Sequence, residues 1–516
     1  NHKQHDKIYI MINFYQVHKL YIWILLSITL APYFIFYNHN FQQLILFNTL
    51  QALFILSTLF LLTLVATYIF EKIFPKFITL FFIFLIMSVG AALNFEFLYT
   101  NLIVEGISQL IVSINAKLIF VLIYFLSIIV VIALVRFEIF KVFFLFFFLS
   151  GLFLPISQLI FKAINDRPTE IRNVEVNLKN HSTKKIYTSG ENVYFIMLDG
   201  YASEKTFNRM SYNNSDFYNY LYKKEFIRLG ENSSYNLTYM ALASIFNLTY
   251  PVIEGDPRYT NRSSFYPNIL SHENAPLLIQ QLGNLGYEFI FSGNSWSGCD
   301  PRHMSCLKHL SYRFLNRESS VLFSKTFFGR YLYLIVDHDY DAMSILFDNF
   351  ANIVNKETSE FYFLHHFSPH PPYLSDDCKT PLGMSLIAWE PVENYLKTVE
   401  CVNKKTMKLI STISANDPSG IIVIQSDHGP MTRMHWLNDI DQSKDVHLKN
   451  RIGIINFIKA PKACHKWLRS NIGPINTVRF VLGCISRKEP EYIEDKTYIG
   501  VYEGEDFGTV KEYILN

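Results

Sequence analysis

The chain has 516 residues, 50% hydrophobic and 16% aromatic, with 46 Phe and 32 Tyr, and its charged groups nearly cancel to +2. That length exceeds one average domain, and the absence of any long basic run or of interleaved basic and aromatic residues excludes nucleic acid as a partner. The apolar excess sits at the front of the chain.

The sequence opens on Asn1, which reads as a processed, fragmentary or miscalled terminus, with Met11 as an alternative start. No signal-peptide cleavage pattern follows the first apolar segment, which runs on into others. Apolar stretches of spanning length occupy Tyr21 to Tyr37, Leu44 to Phe70, Phe77 to Asn94, Leu118 to Val135 and Val142 to Phe161. Five spans put the ends of this region on opposite sides. Lys3, Lys7, Lys19, Lys72, Lys76, Arg136 and Lys141 then share one side, and only Lys117 falls on the other. The amino-terminal side is therefore expected to be cytoplasmic and everything after about Lys162 external. The loop from Phe95 to Ala116 carries LIVEGISQLIVSI, too short and interrupted for a span, and is expected to be an interfacial helix. Few ionisable groups fall within the spans, so residues 1–161 are expected to form a transmembrane anchor rather than a pump.

Residues 162–190 are polar, contain Pro168 and mixed charges, and read as a linker. From 191 to 516 short apolar runs alternate with amphipathic helical patterns, the mark of an α/β sheet. Strands are expected at Val193 to Leu198, Glu288 to Phe291, Phe361 to His365, Ile421 to Ile424 and Gly453 to Ile458, and helices at Ala275 to Leu285 and Val392 to Ile413. All six cysteines lie after residue 298, in the order Cys299 and Cys306, Cys378 and Cys401, Cys464 and Cys484. They are expected to form three short-range disulfides in an oxidising compartment, the alternative being six reduced core thiols. An external location agrees with the charge-based topology.

The strand VYFIML ends abruptly on Asp199-Gly200, and GIIVI ends on Gln425-Ser426-Asp427-His428-Gly429. A lone Asp in such a place is usually a cap or turn residue. Two strand ends that carry acids and an adjacent imidazole to one sheet edge point to a site, because open α/β sheets bind ligands beyond the carboxyl ends of their strands. Between them, SSYNLTYMALASIFN places Thr238 at a helix start, where free amides and the helix dipole favour an anionic group. A hydroxyl there is a nucleophile if a divalent metal lowers its pKa, or else simply an N-cap or part of an Asn-Leu-Thr sequon. The stretch HHFSPHPPY supplies His370; of the adjacent His365 and His366, at most one faces the site if they lie on a strand. Arg433 and His435 either complete a second metal or anion pocket or lie on the surface.

LDGYAS, SSYNLTYMALAS, HHFSPHPPY and SDHGP together resemble the sulfatase-like members of the alkaline phosphatase superfamily. With several spans in front, the chain is similar to the membrane phosphotransferases of bacterial envelopes, such as lipoteichoic acid synthases and phosphoethanolamine transferases. The fold this implies is an N-terminal bundle of about five transmembrane helices followed by an α/β sulfatase/alkaline-phosphatase-like domain, external to a bacterial inner membrane. Carried over, the resemblance makes Asp199, Asp427 and His428 metal ligands and Thr238 the nucleophile that also binds the metal. It makes His370 the group that binds phosphoryl oxygens or protonates the leaving group. Two carboxylates, an alkoxide and an imidazole suit zinc or manganese better than magnesium. GPINTVRF, Gly473 to Phe480, also resembles a segment of some sulfatase-like proteins, and Asn476 and Arg479 within it read first as structural.

Two departures matter. Relatives often carry a Glu or paired Asp residues ahead of the nucleophile, where this chain has a lone Asp199 followed by Gly-Tyr. True sulfatases carry a Cys or Ser, two positions before Pro and four before Arg, that becomes formylglycine, and none stands around Thr238. The expected activity is metal-dependent transfer of a phosphorylated head group from a phospholipid donor to an envelope glycan or lipid through a phospho-threonine. The alternatives are a membrane-tethered phosphoester hydrolase on the same site, with sulfoesters less favoured, and an assembly or sensor protein with a degenerate site.

Overall fold

The structure, a computed structural model, describes residues 2–39, 46–94, 116–134, 137–165, 190–256, 265–271, 274–293, 302–307, 359–371, 373–378, 392–431, 446–503 and 506–514, with a few single residues between them. The chain divides into two compact units, Asn1–Arg167 with Phe314–Val336, and Pro168–Arg313 with Asp337–Asn516.

The first unit is helical: α1 (His2–His39), α2 (Leu46–Ile73), α3 (Ile78–Leu93), α4 (Ala116–Leu134) and α5 (Glu138–Asn165). Among the described residues four helices are long and apolar enough to cross a membrane, with windows His18–Asn38, Leu50–Ile73, Pro75–Leu93 and Ile139–Ile160. The helix at the fourth expected span, Leu118 to Val135, contributes a shorter apolar stretch, Val121–Leu134. Half of the α1 window is buried, against 11% for α2 and α5, so α1 is the centre of the bundle. Its Leu25, Ile24 and Ile28 pack with Ile86 of α3 and with Phe144 and Phe148 of α5. The other helices turn side chains such as Phe54, Leu62 and Phe146 outward, as lipid-facing helices do. His18 lies 3.1 Å from Glu71, so the start of the first span meets the end of the second. The expected interfacial helix and nearly all of the expected linker lie outside the described residues, and α5 runs to Asn165, past the expected boundary at 161.

The second unit is built on a seven-stranded sheet in the order β2-β7-β6-β1-β5-β3-β4. Its strands are β1 (Val193–Leu198), β2 (Ile227–Arg228), β3 (Glu288–Ser292), β4 (Ser305–Cys306), β5 (Glu360–His366), β6 (Ile421–Gln425) and β7 (Asn456–Lys459). The run β6-β1-β5-β3-β4 is parallel, and β7 and β2 continue it antiparallel beyond β6. All six residues of β1 are buried, which explains why its sequence is continuously apolar rather than alternating. Val193, Phe195 and Met197 face one layer, with Leu242 and Phe246 of α8 (Thr238–Asn247), Leu278 of α9 (Leu277–Asn284) and Val481 of α12 (Pro474–Ser486). Tyr194, Ile196 and Leu198 face the other, with Phe207 of α6 (Glu204–Arg209), Leu221 of α7 (Ser215–Lys223) and Val402 and Leu409 of α10 (Val392–Asn416). A short helix, α11 (Val446–Ile452), precedes β7, and a hairpin, β8 (Tyr498–Glu503) with β9 (Asp506–Glu512), closes the domain.

Three disulfides join Cys299 to Cys306, Cys378 to Cys401 and Cys464 to Cys484, the pairs expected from sequence. The second ties the segment after His370 to α10, and the third ties the 3-10 turn Lys462–Trp467 to α12. For loops closed over 23 and 20 residues, each such bond contributes on the order of 3 kcal/mol. The strand expected at Gly453 to Ile458 starts only at Asn456, as β7, because Gly453 and Ile454 make isolated bridges to Asn232 and Ala202 instead.

Candidate active site

β1, β5 and β6 end at one edge of the sheet, in register, so the residues that follow them are forced together. Asp199 is the first residue after β1, and its amide donates to His366 O at 3.0 Å. Gly200 then takes φ +73°, a left-handed turn that a side chain resists, and this points its amide at Asp427 Oδ1, 3.1 Å away. The His428 amide donates to the same oxygen at 2.9 Å. Asp199 Oδ2 lies 3.2 Å from His365 Nε2. Each carboxylate thus has one oxygen held by protein donors. The other oxygens, Asp199 Oδ1 and Asp427 Oδ2, are buried and have no hydrogen-bond partner among the described residues.

His428 completes the cluster. Its Nδ1 lies 2.9 Å from Gly429 O, and a carbonyl only accepts, so Nδ1 carries the hydrogen and Nε2 carries the lone pair. Nε2 faces Asp427 Oδ2 at 3.2 Å, Asp199 Oδ1 at 3.7 Å and the Thr238 hydroxyl at 2.8 Å. Burial first, then the charge of Arg451, holds the imidazole well below its ordinary range, so it is neutral. Burial, then the charge of Asp427, pushes the Asp199 carboxyl well above the usual carboxylate range. Three acceptor atoms thus lie within 4.8 Å of one another, an arrangement that fits a cation. Two carboxylates buried this close together cost several kcal/mol, a penalty that the charge of Arg451 offsets only in part and that a divalent ion at this point would remove.

Thr238 is the first residue of α8, and the preceding Leu237 makes no side-chain cap. Its hydroxyl faces the cluster while the first-turn amides remain uncapped by a side chain, a natural cradle for anionic oxygens. His370 follows β5 in the turn at Pro369, with its amide on Asp199 O at 3.0 Å. Its Nδ1 is 2.8 Å from Pro371 O, so Nε2 again carries the lone pair, and burial lowers its pKa against the opposing pull of Asp199. Of the two adjacent histidines at the end of β5, His365 is the one that reaches Asp199. Arg433 and His435 lie outside the described residues. Asn476 exchanges hydrogen bonds with the backbone of Ile493, and Arg479 donates to Leu248 O at the end of α8, contacts of a structural kind.

Two residues that sequence reasoning passed over shape the site. Arg451, buried on α11, donates from Nε to Asn236 O at 2.8 Å and from Nη1 to Gly429 O at 3.1 Å, clamping the loops that carry Thr238 and His428. Tyr266 places its hydroxyl 2.8 Å from His365 Nδ1. A side chain at Gly429 would put its Cβ 2.1 Å from Asn450 O and 2.5 Å from Gly453 O, so only glycine fits directly after His428.

The fold and the acid, imidazole and hydroxyl cluster at the carboxyl edge of the sheet define an enzyme of the alkaline phosphatase superfamily. The chain belongs to the Sulfatase family, whose family model matches residues 191–458, just over half of the sequence, and the family is metal-dependent. No curated protein matches it in sequence. The structure is similar to the C-terminal periplasmic domain of EcEptC from Escherichia coli, at 12% identity over 64% of this chain and 94% of that one, with a TM-score of 0.39. It is similar to the integral membrane protein lipooligosaccharide phosphoethanolamine transferase A (EptA) from Neisseria meningitidis, at 14% identity over 90% and 95%, with a TM-score of 0.38. For the lipoteichoic acid synthase LtaP from Listeria monocytogenes the values are 14% identity, 65% and 89% coverage and a TM-score of 0.34.

Proposed function

We propose that the protein is an inner-membrane enzyme that transfers a phosphorylated head group from a phospholipid to an envelope glycan or lipid. The observation that carries this reading is the Thr238 hydroxyl, held 2.8 Å from His428 Nε2 among the two half-satisfied carboxylates. A threonine in that place cannot become formylglycine, which turns the reading away from sulfate esters and toward phosphoryl transfer. Residues 1–161 act as a multi-pass anchor, 162–190 as a tether and 191–516 as the catalytic domain on the external face, where a lipid donor is met at the membrane surface.

Asp199, Asp427, His428 and the Thr238 oxygen would hold the metal, with zinc or manganese favoured by the mixed oxygen and nitrogen donors. A bound divalent ion supplies Lewis acidity that lowers the pKa of the hydroxyl and offsets phosphoryl charge. Thr238 Oγ1 forms a bond to phosphorus as the bond from phosphorus to the diacylglycerol oxygen breaks. The hydroxyl proton ends on that departing oxygen, with His370 Nε2 as its carrier. The head group is then a phospho-threonine diester. An acceptor hydroxyl attacks it in turn, restores the Thr238 hydroxyl and leaves with the phosphorylated head group.

Mass spectrometry of the Thr238 peptide, from protein quenched in mild acid during turnover of a phospholipid, tests this directly. An adduct on Thr238 is expected, and its mass names the head group. An unmodified peptide with release of the phosphorylated head group to water favours the membrane-tethered hydrolase. Neither adduct nor turnover with zinc or manganese supplied overturns the proposal.

A further inference from the structure

We infer that Tyr266 and His365 form a positioning pair that holds Asp199 to a single free oxygen and links it to the helix carrying Thr238. The inference rests on Asp199 being a metal ligand, as proposed above. Tyr266, His365 and Asp199 are each only 1% exposed, so water does not compete for the contacts between them. His365 Nε2 lies 3.2 Å from Asp199 Oδ2; as a metal ligand Asp199 is an ionised carboxylate whose oxygens only accept, so Nε2 carries the hydrogen. Nδ1 must then accept, and the Tyr266 hydroxyl, 2.8 Å away, must donate. The direction of the chain of hydrogen bonds is fixed from the tyrosine to the aspartate.

This leaves Asp199 little freedom. Its amide donates to His366 O and its carbonyl accepts from the His370 amide, both at 3.0 Å, so the backbone is tied on either side. The remaining motion is rotation of the carboxylate, and the hydrogen bond from His365 stops it with Oδ1 toward Asp427 and His428. Oδ2 is occupied, so Asp199 offers one oxygen to a cation and not two. Outer contacts of this sort, which orient a ligand and tune its basicity, typically change metal affinity by 10- to 100-fold.

The other end of the pair reaches the nucleophile. The Tyr266 amide donates to Tyr239 O at 3.1 Å, the carbonyl directly after Thr238. Its ring stacks on Phe246 of α8, with centroids 5.9 Å apart and planes 9° from parallel. Tyr266 is therefore fixed against both ends of the helix that begins with Thr238, while its hydroxyl sets the tautomer that orients Asp199. A shift of α8 is felt at the ligand through three contacts. Packing alone would be met by phenylalanine, which keeps the ring and the backbone contact and removes only the donor.

The test is a set of variants of the full chain in detergent, read by cobalt(II) titration against a competing chelator and by the visible absorption of the cobalt-loaded protein. Tyr266→Phe is expected to weaken cobalt binding by about 10-fold and to shift the absorption bands, with the metal-free protein still folded at a somewhat lower melting temperature because buried His365 Nδ1 loses its donor. His365→Ala is expected to weaken binding by up to about 100-fold, and His365→Gln, whose amide nitrogen stands close to the place of Nε2, to recover most of that loss. Unchanged affinity and spectrum in Tyr266→Phe overturn the positioning role, whether or not His365→Ala folds. Asp199→Asn separates the two readings. If it abolishes cobalt binding while Tyr266→Phe and His365→Ala bind as wild type does, only the pair is refuted; if Asp199→Asn binds as wild type does, the ligand assignment falls and the pair with it.

Discussion

The guanidinium of Arg451 donates to the backbone carbonyl of Asn236 at 2.8 Å, two positions ahead of Thr238. The same group holds Gly429 O, which also accepts from His428. Lysine has one nitrogen and no fixed fork, so Arg451→Lys leaves one of two buried carbonyls without its donor. The expected result is a loss of about 1–3 kcal/mol in denaturant unfolding and a lower kcat with KM little changed. Equal kcat in variant and wild type would show that the clamp is not needed.

Thr238→Ala removes one hydroxyl from the start of α8 and leaves the apolar face of the helix intact. Turnover should fall by roughly 10³-fold or more, with stability changed by less than about 1 kcal/mol. Steady-state assays beside thermal melts check both parts, and full activity in the variant ends the nucleophile assignment.

Asp427→Asn keeps an oxygen for the amides of Gly200 and His428 but turns an amide nitrogen toward Asp199 Oδ1 and His428 Nε2. A donor in place of a ligand should empty the site. Elemental analysis is expected to find stoichiometric zinc or manganese in wild type and none in the variant, and chelation of wild type should lower its melting temperature. Equal metal content in the two would place the ion elsewhere.

Gly429→Ala brings Cβ against two backbone oxygens, Asn450 O and Gly453 O, neither of which can rotate away. The expected cost is about 3 kcal/mol or more. Activity should fall with it, since the displaced residue is next to His428. A melting temperature within error of wild type would mean the loop has room that the structure denies.

Alkaline pH should unfold the outer domain cooperatively. Burial raises the phenols of Tyr235 and Tyr395 well above 10, and Tyr194 is raised too, by burial and then by Asp417. A group whose folded pKa is raised contributes stability that is fully present below its unfolded pKa and lost as pH rises through and beyond it. Each such tyrosine therefore costs about 1.4 kcal/mol per pH unit above ~10. Melting temperature between pH 8 and 11, against a Tyr194→Phe variant with one fewer such phenol, measures it; a flat profile would sink the argument.

Much of the site could be read from sequence because parallel strands announce their ends. VYFIML and GIIVI are buried on both faces, so their apolar runs stop where the sheet stops, and Asp199 and Asp427 stand at those stops. Thr238 was legible as a helix start because the following residues keep helical spacing. Periodicity carries no strand direction, so nothing distinguished the antiparallel β7 from the parallel strands β6, β1, β5 and β3. Tyr266 and Arg451 were hidden for a different reason. Each acts on a partner far away in the chain, and neither sits in a pattern that local spacing could mark. The choice between His365 and His366 needed the register Met197 to His365, which only the paired strands supply.

The hairpin β8–β9 is docked on the loop that leads to Thr238: Tyr498 donates its amide to Ser234 O, and the Gly500 amide donates to Asn236 Oδ1 across a separation of 264 residues. A ribosome makes those two halves many seconds apart, at about 5–20 residues per second. Until the residues near 500 have left it, the loop before Thr238 lacks the wall against which it is shaped. The start of α8 at Thr238 therefore takes its final shape only after a segment made 264 residues beyond Asn236 has folded onto it.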